Sequence, residues 1–172
     1  MKKLFWILLL MLSWSTVTVR AQKFALVDME YILKKIPAYE RANEQLNQVS
    51  KKWMAEVDAL NTEAQTLYKN YQSEAVFLSN DQKTKKENEI VEKEKEAAEL
   101  RKKYFGPDGE LFKKRQSLIT PIQDEIYNAI KDISNSKGYS LILDRTSDAG
   151  IIFASPKADI SNEVLSKLGY SN

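Results

Sequence analysis

The chain of 172 residues contains no cysteine and no histidine, and it has only five glycines and four prolines. The first two absences exclude disulfides, thiolate nucleophiles, Ser-His-Asp triads and the usual zinc sites, because each needs a thiol or an imidazole. The scarcity of glycine and proline argues against collagen-like and disordered chains. The chain is instead rich in charge, which makes up 29% of its residues, a proportion typical of long solvated helices.

Acidic residues lie close together at only two places near the predicted strands. The first is Asp28 with Glu30, and the second is Asp144 with Asp148, beside the basic Arg145. Carboxylates at strand ends and turns usually accept hydrogen bonds from nearby backbone amides. The chain has neither the glycine-rich loop of a phosphate site nor the alternating acidic spacing of a calcium loop. We therefore expect no enzymatic activity, no cofactor and no metal site.

Residues 1–21 are typical of a cleaved secretory signal peptide. They carry two lysines, an apolar run over Leu4–Leu12 and small or β-branched residues at Val19 and Ala21. The alternative is a membrane anchor, but the run is shorter than the roughly 20 residues that a span needs. Cleavage after Ala21 removes three of the 26 basic residues, so that 23 basic residues face 24 acidic ones in the exported chain.

Two short segments with strand patterns enclose the middle of the chain, and we call them together the body. Residues 22–37 predict a strand and a short helix, while residues 137–172 predict two strands and a C-terminal helix. The three predicted strands are Phe24–Asp28, Tyr139–Asp144 and Ile151–Ala154. A body made of these segments alone buries little apolar area, so we expect it to associate with further copies.

Residues 38–136 show hardly any strand signal and predict a helical hairpin, which we call the arm. In its first half, apolar residues recur at spacings of three and four over about 33 residues, which is typical of a coiled-coil seam. The seam consists of Tyr39, Ala42, Leu46, Val49, Trp53, Val57, Leu60, Ala64, Leu67 and Tyr71. Two successive spacings of four around Trp53 form one stutter, which locally unwinds a left-handed supercoil.

A tip near residues 78–81 separates the two halves of the arm, because Ser79 and Gln82 fit a capping box that begins a new helix. The returning helix is mostly charged. At residues 106–109, Pro107 lacks an amide donor and has a glycine on either side, which predicts a kink. The predicted fold class is α+β, with a small β-rich body through which copies associate and a long antiparallel α-helical coiled-coil hairpin.

Three basic clusters lie in the returning half of the arm, at residues 83–86, 101–103 and 113–115. Lysine and arginine clusters can neutralise phosphates in nucleic acids. Acidic residues interleave most of these clusters, however, and a charged helix face is usually only solvated. We therefore expect no nucleic-acid partner, and we keep open a weak contact with anionic lipid or lipopolysaccharide.

Apolar and aromatic residues along the arm are candidates for binding unfolded client proteins. They are Trp53, Tyr68, Tyr71, Val76, Phe77 and Leu78. Trp53 and Tyr71 also fit the seam, and burial within the hairpin is the favoured interpretation for these two. Phe77 and Leu78 are harder to bury because they lie at the tip, so they are the better candidates for client contact.

The order of the segments resembles the Skp (OmpH) family of periplasmic chaperones over nearly the whole exported chain. The resemblance rests on KFALVDMEYILKKIP before the hairpin and on GYSLILDRTSDAGIIFASPKADISNEVLSKL after it. Neither stretch is a catalytic signature, so the match is one of order and pattern. The kink sequence FGPDG and the balanced charge depart from the better-known members, which are markedly basic.

The resemblance implies an ATP-independent holdase of the periplasm. It implies a homotrimer whose bodies share one barrel-like core and whose three arms enclose a cavity for unfolded outer-membrane proteins. Carried onto this sequence, the candidate oligomerisation residues are Phe24, Leu26, Val27, Leu141, Leu143, Ile151, Ile152 and Phe153. The alternative is a structural coiled-coil protein of the envelope that links fixed partners.

Overall fold

The computed structural model describes residues 22–147 and 150–170. Along the chain these residues form β1 (Lys23–Val27), α1 (Met29–Lys34), α2 (Pro37–Glu74), α3 (Asn80–Phe105), α4 (Glu110–Lys137), β2 (Tyr139–Asp144) and α5 (Ser161–Lys167). The predicted signal peptide and Asp148 lie outside the described residues. None of the helices in the described part of the chain is both long enough and apolar enough to cross a membrane.

The strands β1 and β2 pair in parallel, with Phe24 opposite Leu141 and Val27 opposite Asp144. Parallel neighbours cannot be joined by a tight turn, so the chain must cross over between them. Here the crossover contains α1 and the entire arm. The sheet therefore holds the two ends of the hairpin side by side.

The predicted third strand at Ile151–Ala154 is wrong, because these residues form no sheet in the structure. A strand needs a neighbour for its backbone hydrogen bonds. One edge of β1 pairs with β2, and on the other edge the carbonyl oxygen of Leu26 accepts a 2.9 Å hydrogen bond from the Ile160 N–H. The segment pairs with neither strand, although the outer edge of β2 has no strand partner in the described chain, and Ile152 is fully exposed and Phe153 85% exposed.

The core lies where α1, α4 and α5 pack around the sheet. Its fully buried side chains include Ile32 and Ile36 after β1, Ile126 on α4 and Val164 on α5. Local signals fix the helix ends: the Asp28 carboxylate accepts the Tyr31 N–H at 2.8 Å to begin α1. At the other end of the arm, Gly138 adopts a left-handed conformation with φ of 71° and ends α4 as predicted.

The body is larger than the sequence indicates, because the second half of α4 packs in its core. The residues Ile122, Ile126, Ala129 and Ile133 are buried there with the strands and α1. They belong to the range 38–136 that the sequence assigns to the arm. The two returning helices, α3 and α4, are together longer than the outgoing helix α2. The second half of α4 therefore extends beyond the start of α2 and into the body.

The arm is a two-helix hairpin whose outgoing helix, α2, has 38 residues and a length of roughly 57 Å. The buried residues of α2 are Ala42, Leu46, Val57 and Ala64, all of which belong to the predicted seam. They face the early part of α4 and, beyond it, α3, on which Ile90 and Ala97 are buried. The apolar contact is thus narrow along the whole arm.

The tip of the arm is a short 3-10 turn, Ala75–Phe77, followed by the predicted capping box. The Gln82 N–H donates to Ser79 Oγ at 3.3 Å, and the Ser79 N–H donates to Gln82 Oε1 at 2.9 Å. Two amides at the start of α3 are satisfied in this way. The turn therefore has a defined end even though little packs against it.

Replacing Ile126 with alanine should lower the free energy of unfolding by about 2–5 kcal/mol, because the side chain is fully buried and its loss leaves a cavity. Its neighbour Tyr127 is 65% exposed, so Tyr127→Ala should change stability by less than about 0.5 kcal/mol. Urea denaturation followed by circular dichroism at one fixed protein concentration measures both. Equal losses in the two variants would contradict this placement of the core.

Candidate functional site

The tip carries the most exposed apolar side chains of the arm. Val76 is 81% exposed and Phe77 is 87% exposed, while Leu78 is half-buried. We call these three residues the tip surface. The 3-10 turn places them beyond the end of α2 and before the start of α3, so no helix of the described chain covers them.

The structure separates the remaining client candidates into two groups. The Trp53 ring stacks on Tyr104 of α3, with ring centroids 4.7 Å apart and planes 5° from parallel. The hydroxyl of Tyr71 donates a hydrogen bond to Glu87 of α3. Tyr68, by contrast, is half exposed. Trp53 and Tyr71 therefore make contacts within the hairpin, as their seam positions predict, whereas Tyr68 and the tip surface point to solvent.

Polar contacts join the two helices of the outer arm where apolar contact is scarce. The Tyr104 hydroxyl donates to Glu56 at 2.6 Å, and this bond, with burial and the carboxylate charge, raises the pKa of Tyr104. The bond to Glu87 raises the pKa of Tyr71 for the same reasons. Two ion pairs add to these contacts, Lys93 with Glu63 at 3.6 Å and Lys86 with Glu74 at 3.4 Å.

The sequence predicts that Tyr104 is one of the few residues of the returning helix that contact the outgoing helix, but it does not predict Trp53 as the partner. Tyr104 begins an aromatic pair, Tyr104-Phe105, at the end of an otherwise charged helix and beside the predicted kink. The two rings meet because of the register between α2 and α3. The spacing of apolar residues along one helix does not predict which residues of the other helix lie opposite them.

The body exposes a second set of apolar side chains. Of the eight candidate oligomerisation residues, Leu26 and Val27 are buried in the body itself, and Leu143 and Ile151 are half-buried. The exposed ones are Phe24 and Leu141, paired on the sheet, and Ile152 and Phe153, which follow it. We call these four the body surface. A cleft of about 570 Å³ lies between residues 151–156 and the polar residues at the end of the sheet.

A buried serine connects the polar residues beneath this cleft. The Ser161 hydroxyl accepts the Asp28 N–H at 2.8 Å and donates to Asp159 Oδ1 at 2.6 Å. Arg145 Nη1 donates to Asp159 Oδ2 at 3.2 Å, and Arg145 Nε lies 3.8 Å from Asp28 Oδ2. The cluster thus joins both ends of the body, and in the described residues no acidic group has the arrangement of a metal site.

The carboxylates near the strands mainly accept hydrogen bonds from backbone N–H groups. Asp144 accepts the Met29 N–H at 3.3 Å and the Thr146 N–H at 3.0 Å. Burial acts to raise the pKa of Asp159, but hydrogen bonds from Ser161 and Arg145 outweigh it, so the pKa lies below its ordinary value of 3.8. The interpretation of Asp28 and Asp144 as strand-end residues is confirmed.

Comparison with known families decides what kind of chain has this arrangement. A family model described as outer membrane protein (OmpH-like) matches residues 23–168, from the first strand to the last helix. The chain belongs to the OmpH-like family. The resemblance that the two end segments indicate is thereby confirmed.

Named members of the OmpH-like family are similar to this chain over most of its length. The chaperone protein Skp of Yersinia enterocolitica is 24% identical over 156 residues, which cover 90% of each chain. The chaperone protein Skp of Photorhabdus luminescens is 25% identical over 142 residues, or 77% of this chain and 79% of that one.

A solved structure of an OmpH-like protein from Caulobacter crescentus, described as a putative outer membrane chaperone, has the same fold. Its TM-score is 0.67 at 14% sequence identity, and the match covers 87% of this chain and 85% of that one. At this identity the likeness concerns the fold alone. The predicted α+β class with a long helical hairpin is confirmed.

In this OmpH-like chain, Asp159→Asn should make the body less sensitive to acid. Because the pKa of Asp159 is lower in the folded state than in the unfolded state, its stabilisation is present above about pH 4 and is lost as the pH falls further. The effect at neutral pH should be of the order of 0.5 kcal/mol, since the Arg145 side chain is more than half exposed and solvent screens its pairing with Asp159.

Urea denaturation between pH 7 and pH 3 measures this effect. The wild-type and Asp159→Asn curves should approach each other as the pH falls below about 4. Asp124→Asn, at an exposed position on α4, serves as the matched control and should remain parallel to the wild type. A constant difference between the wild type and Asp159→Asn over the whole range would contradict the role assigned to Asp159.

Proposed function

We propose that this protein is an ATP-independent holdase chaperone of the periplasm that binds unfolded outer-membrane β-barrel proteins. The observation that carries the proposal is the tip surface, in which Val76 and Phe77 are exposed at the end of an arm roughly 57 Å long. The family membership and the chaperone relatives, which span most of the chain, support the same function.

The chemistry of the client fits such a surface. Strands of an outer-membrane barrel alternate apolar and polar side chains, so the unfolded chain exposes apolar groups at short intervals. Burying one phenylalanine contributes about 1.5–3 kcal/mol, which is too little for tight binding by a single tip. Several tips acting on one client bind it more strongly through effective concentration while each contact remains reversible.

The charged surface of the arm has a separate role in this function. The returning helix α3 has buried residues only at Ile90 and Ala97 and carries charge over most of its length. Charged, mixed-sign surfaces resist association with each other. The arm therefore stays extended in water and offers its apolar side chains mainly at the tip. The proposal also includes a weak contact between the basic residues near the tip and anionic lipid or lipopolysaccharide.

We propose further that three copies associate through the body surface into one barrel-like core, with their arms around a common cavity. The body surface, Phe24 with Leu141 and Ile152 with Phe153, supports this assembly because apolar side chains clustered on a small body favour burial against a partner. The second half of α4 gives each body its own core. Assembly then concerns the exposed side chains rather than the stability of an undersized body.

Substituting serine for both Val76 and Phe77 should weaken client binding by about tenfold or more, since the variant loses two exposed apolar groups. The assay dilutes a urea-unfolded porin into buffer with the chain lacking residues 1–21, without nucleotide, and follows aggregation by light scattering. Val91→Ser with Phe112→Ser is the matched control, because both residues are exposed on the arm but not at the tip.

Three outcomes of this assay are informative. Suppression of aggregation by the wild type and by the control, with loss in the tip variant, supports the proposal. Equal loss in the control would contradict the role of the tip surface. If the wild type leaves the porin to aggregate at its normal rate, the holdase proposal is wrong. Stoichiometric binding of native envelope partners to the wild-type protein, measured separately, would then support the structural linker.

Size-exclusion chromatography with light scattering tests the assembly independently. The wild type should elute as a trimer at micromolar concentration, and Ile152→Asp with Phe153→Asp should yield monomers, because the substitutions place charge in the proposed interface. Val91→Asp with Phe112→Asp, which adds the same charge to exposed positions of the arm, should leave the trimer intact. A monomeric wild type would reject the shared core.

A further inference from the structure

The arm has one level at which only a single helix is continuous. Helix α3 ends at Phe105 and α4 begins at Glu110, while α2 continues past this break without interruption. We call residues 106–109 the elbow. A hairpin bends most easily where one of its helices is broken. The direction of the outer arm therefore depends on how firmly the elbow is built and how it is attached to α2.

The elbow is a closely packed turn that requires both of its glycines for space. A Cβ on Gly106 would lie 2.4 Å from the carbonyl oxygen of Lys102, and one on Gly109 would lie 2.8 Å from the carbonyl oxygen of Tyr104. Their φ angles, −64° and −71°, are ordinary for any residue, so the requirement is steric. Both contacts are with backbone, which cannot move aside as a flexible side chain can.

Three backbone hydrogen bonds connect the elbow to the helices on either side of it. The Gly106 N–H donates to the Lys102 carbonyl and the Gly109 N–H to the Gly106 carbonyl, each at 2.9 Å. The Lys113 N–H then donates to the Gly109 carbonyl at 3.1 Å, which begins α4. Close packing together with consecutive hydrogen bonds is the opposite of what a freely moving hinge shows.

Aromatic contacts attach the elbow to the continuous helix. Tyr104 stacks on Trp53 of α2, packs edge to face against Phe105 at 6.3 Å, and donates its hydroxyl hydrogen bond to Glu56 of α2. The same residue's carbonyl oxygen is among the atoms that leave no room for a Cβ on Gly109. Tyr104 is thus the residue through which α2, the end of α3 and the elbow all meet.

We propose that the elbow, together with the Trp53–Tyr104 stack, is a rigid corner that fixes the direction of the outer arm relative to the body. Aromatic stacking contributes about 0.5–1.5 kcal/mol beyond the area that it buries. Without the stack, only α2 and the backbone of the elbow oppose bending at this level. The inference concerns the protein without a client, so it stands or falls separately from the proposed function.

The test uses the absence of cysteine from the sequence. Lys85→Cys near the tip and Asn135→Cys near the end of α4 introduce the only two thiols in the chain, both at exposed helical positions. Spin labels on them report the distribution of tip-to-body distances by double electron–electron resonance. Mixing labelled chains with an excess of unlabelled wild type leaves one labelled copy in each oligomer.

Tyr104→Ala should broaden this distance distribution at least twofold, whereas Tyr104→Phe, which keeps the ring but not the hydroxyl, should leave it narrow. Tyr104→Leu, which keeps apolar volume without a stacking ring, should also broaden the distance distribution. This variant replaces Tyr104→Ala in the test if circular dichroism shows that the alanine variant loses helicity. A wild type as broad as Tyr104→Ala would overturn the proposal. So would an equally narrow distribution in all four proteins.

Fluorescence gives a second readout, because Trp53 is the only tryptophan outside residues 1–21. In the chain without that segment, Tyr104→Ala should move the emission of Trp53 to longer wavelength as the indole becomes more exposed, and Tyr104→Phe should not. Tyr71→Ala removes a different contact between α2 and α3, farther along the arm, and should leave the emission unchanged. An unchanged emission in Tyr104→Ala would contradict the stack.

Discussion

The burial of one face of α4 in the body is the interaction on which the rest of the structure depends. Four side chains of its second half, Ile122, Ile126, Ala129 and Ile133, lie in the same core as the strands and α1. Each buried aliphatic side chain of this size contributes about 1.5–3 kcal/mol. Because α4 also begins at the elbow, the energy gained in the body holds the base of the arm in place.

The outer arm is built on a different balance. Its apolar seam is narrow, and side-chain hydrogen bonds and ion pairs between α2 and α3 supplement it. Such exposed contacts contribute little individually, so the outer arm is the least stable part of the fold. A surface for binding unfolded chains needs apolar groups that are not consumed by the protein's own core. Under the proposed function, Val76 and Phe77 meet this need, because no helix of the described chain covers them.

The features that the sequence predicts correctly are those encoded locally. The capping box at Ser79, the left-handed Gly138 and the seam of α2 depend on residues within one or two turns of each other. The failures concern partners that are distant in sequence. A strand at Ile151–Ala154 needs a partner strand, and the stack of Trp53 on Tyr104 needs the register between two helices. The apolar periodicity of α4 predicts which of its faces is buried, but it does not predict whether that face packs against the arm or in the body.

The parallel pairing of β1 with β2 also sets an order in time. Strand β1 is synthesised before residues 28–138, and its partner β2 only after them. Contacts so far apart in sequence form late, because the intervening chain must first be ordered. The helices of the arm, whose contacts are local, can form earlier. Until β2 is made, β1 has no strand partner, so its apolar side chains are at risk of aggregation during most of the chain's synthesis.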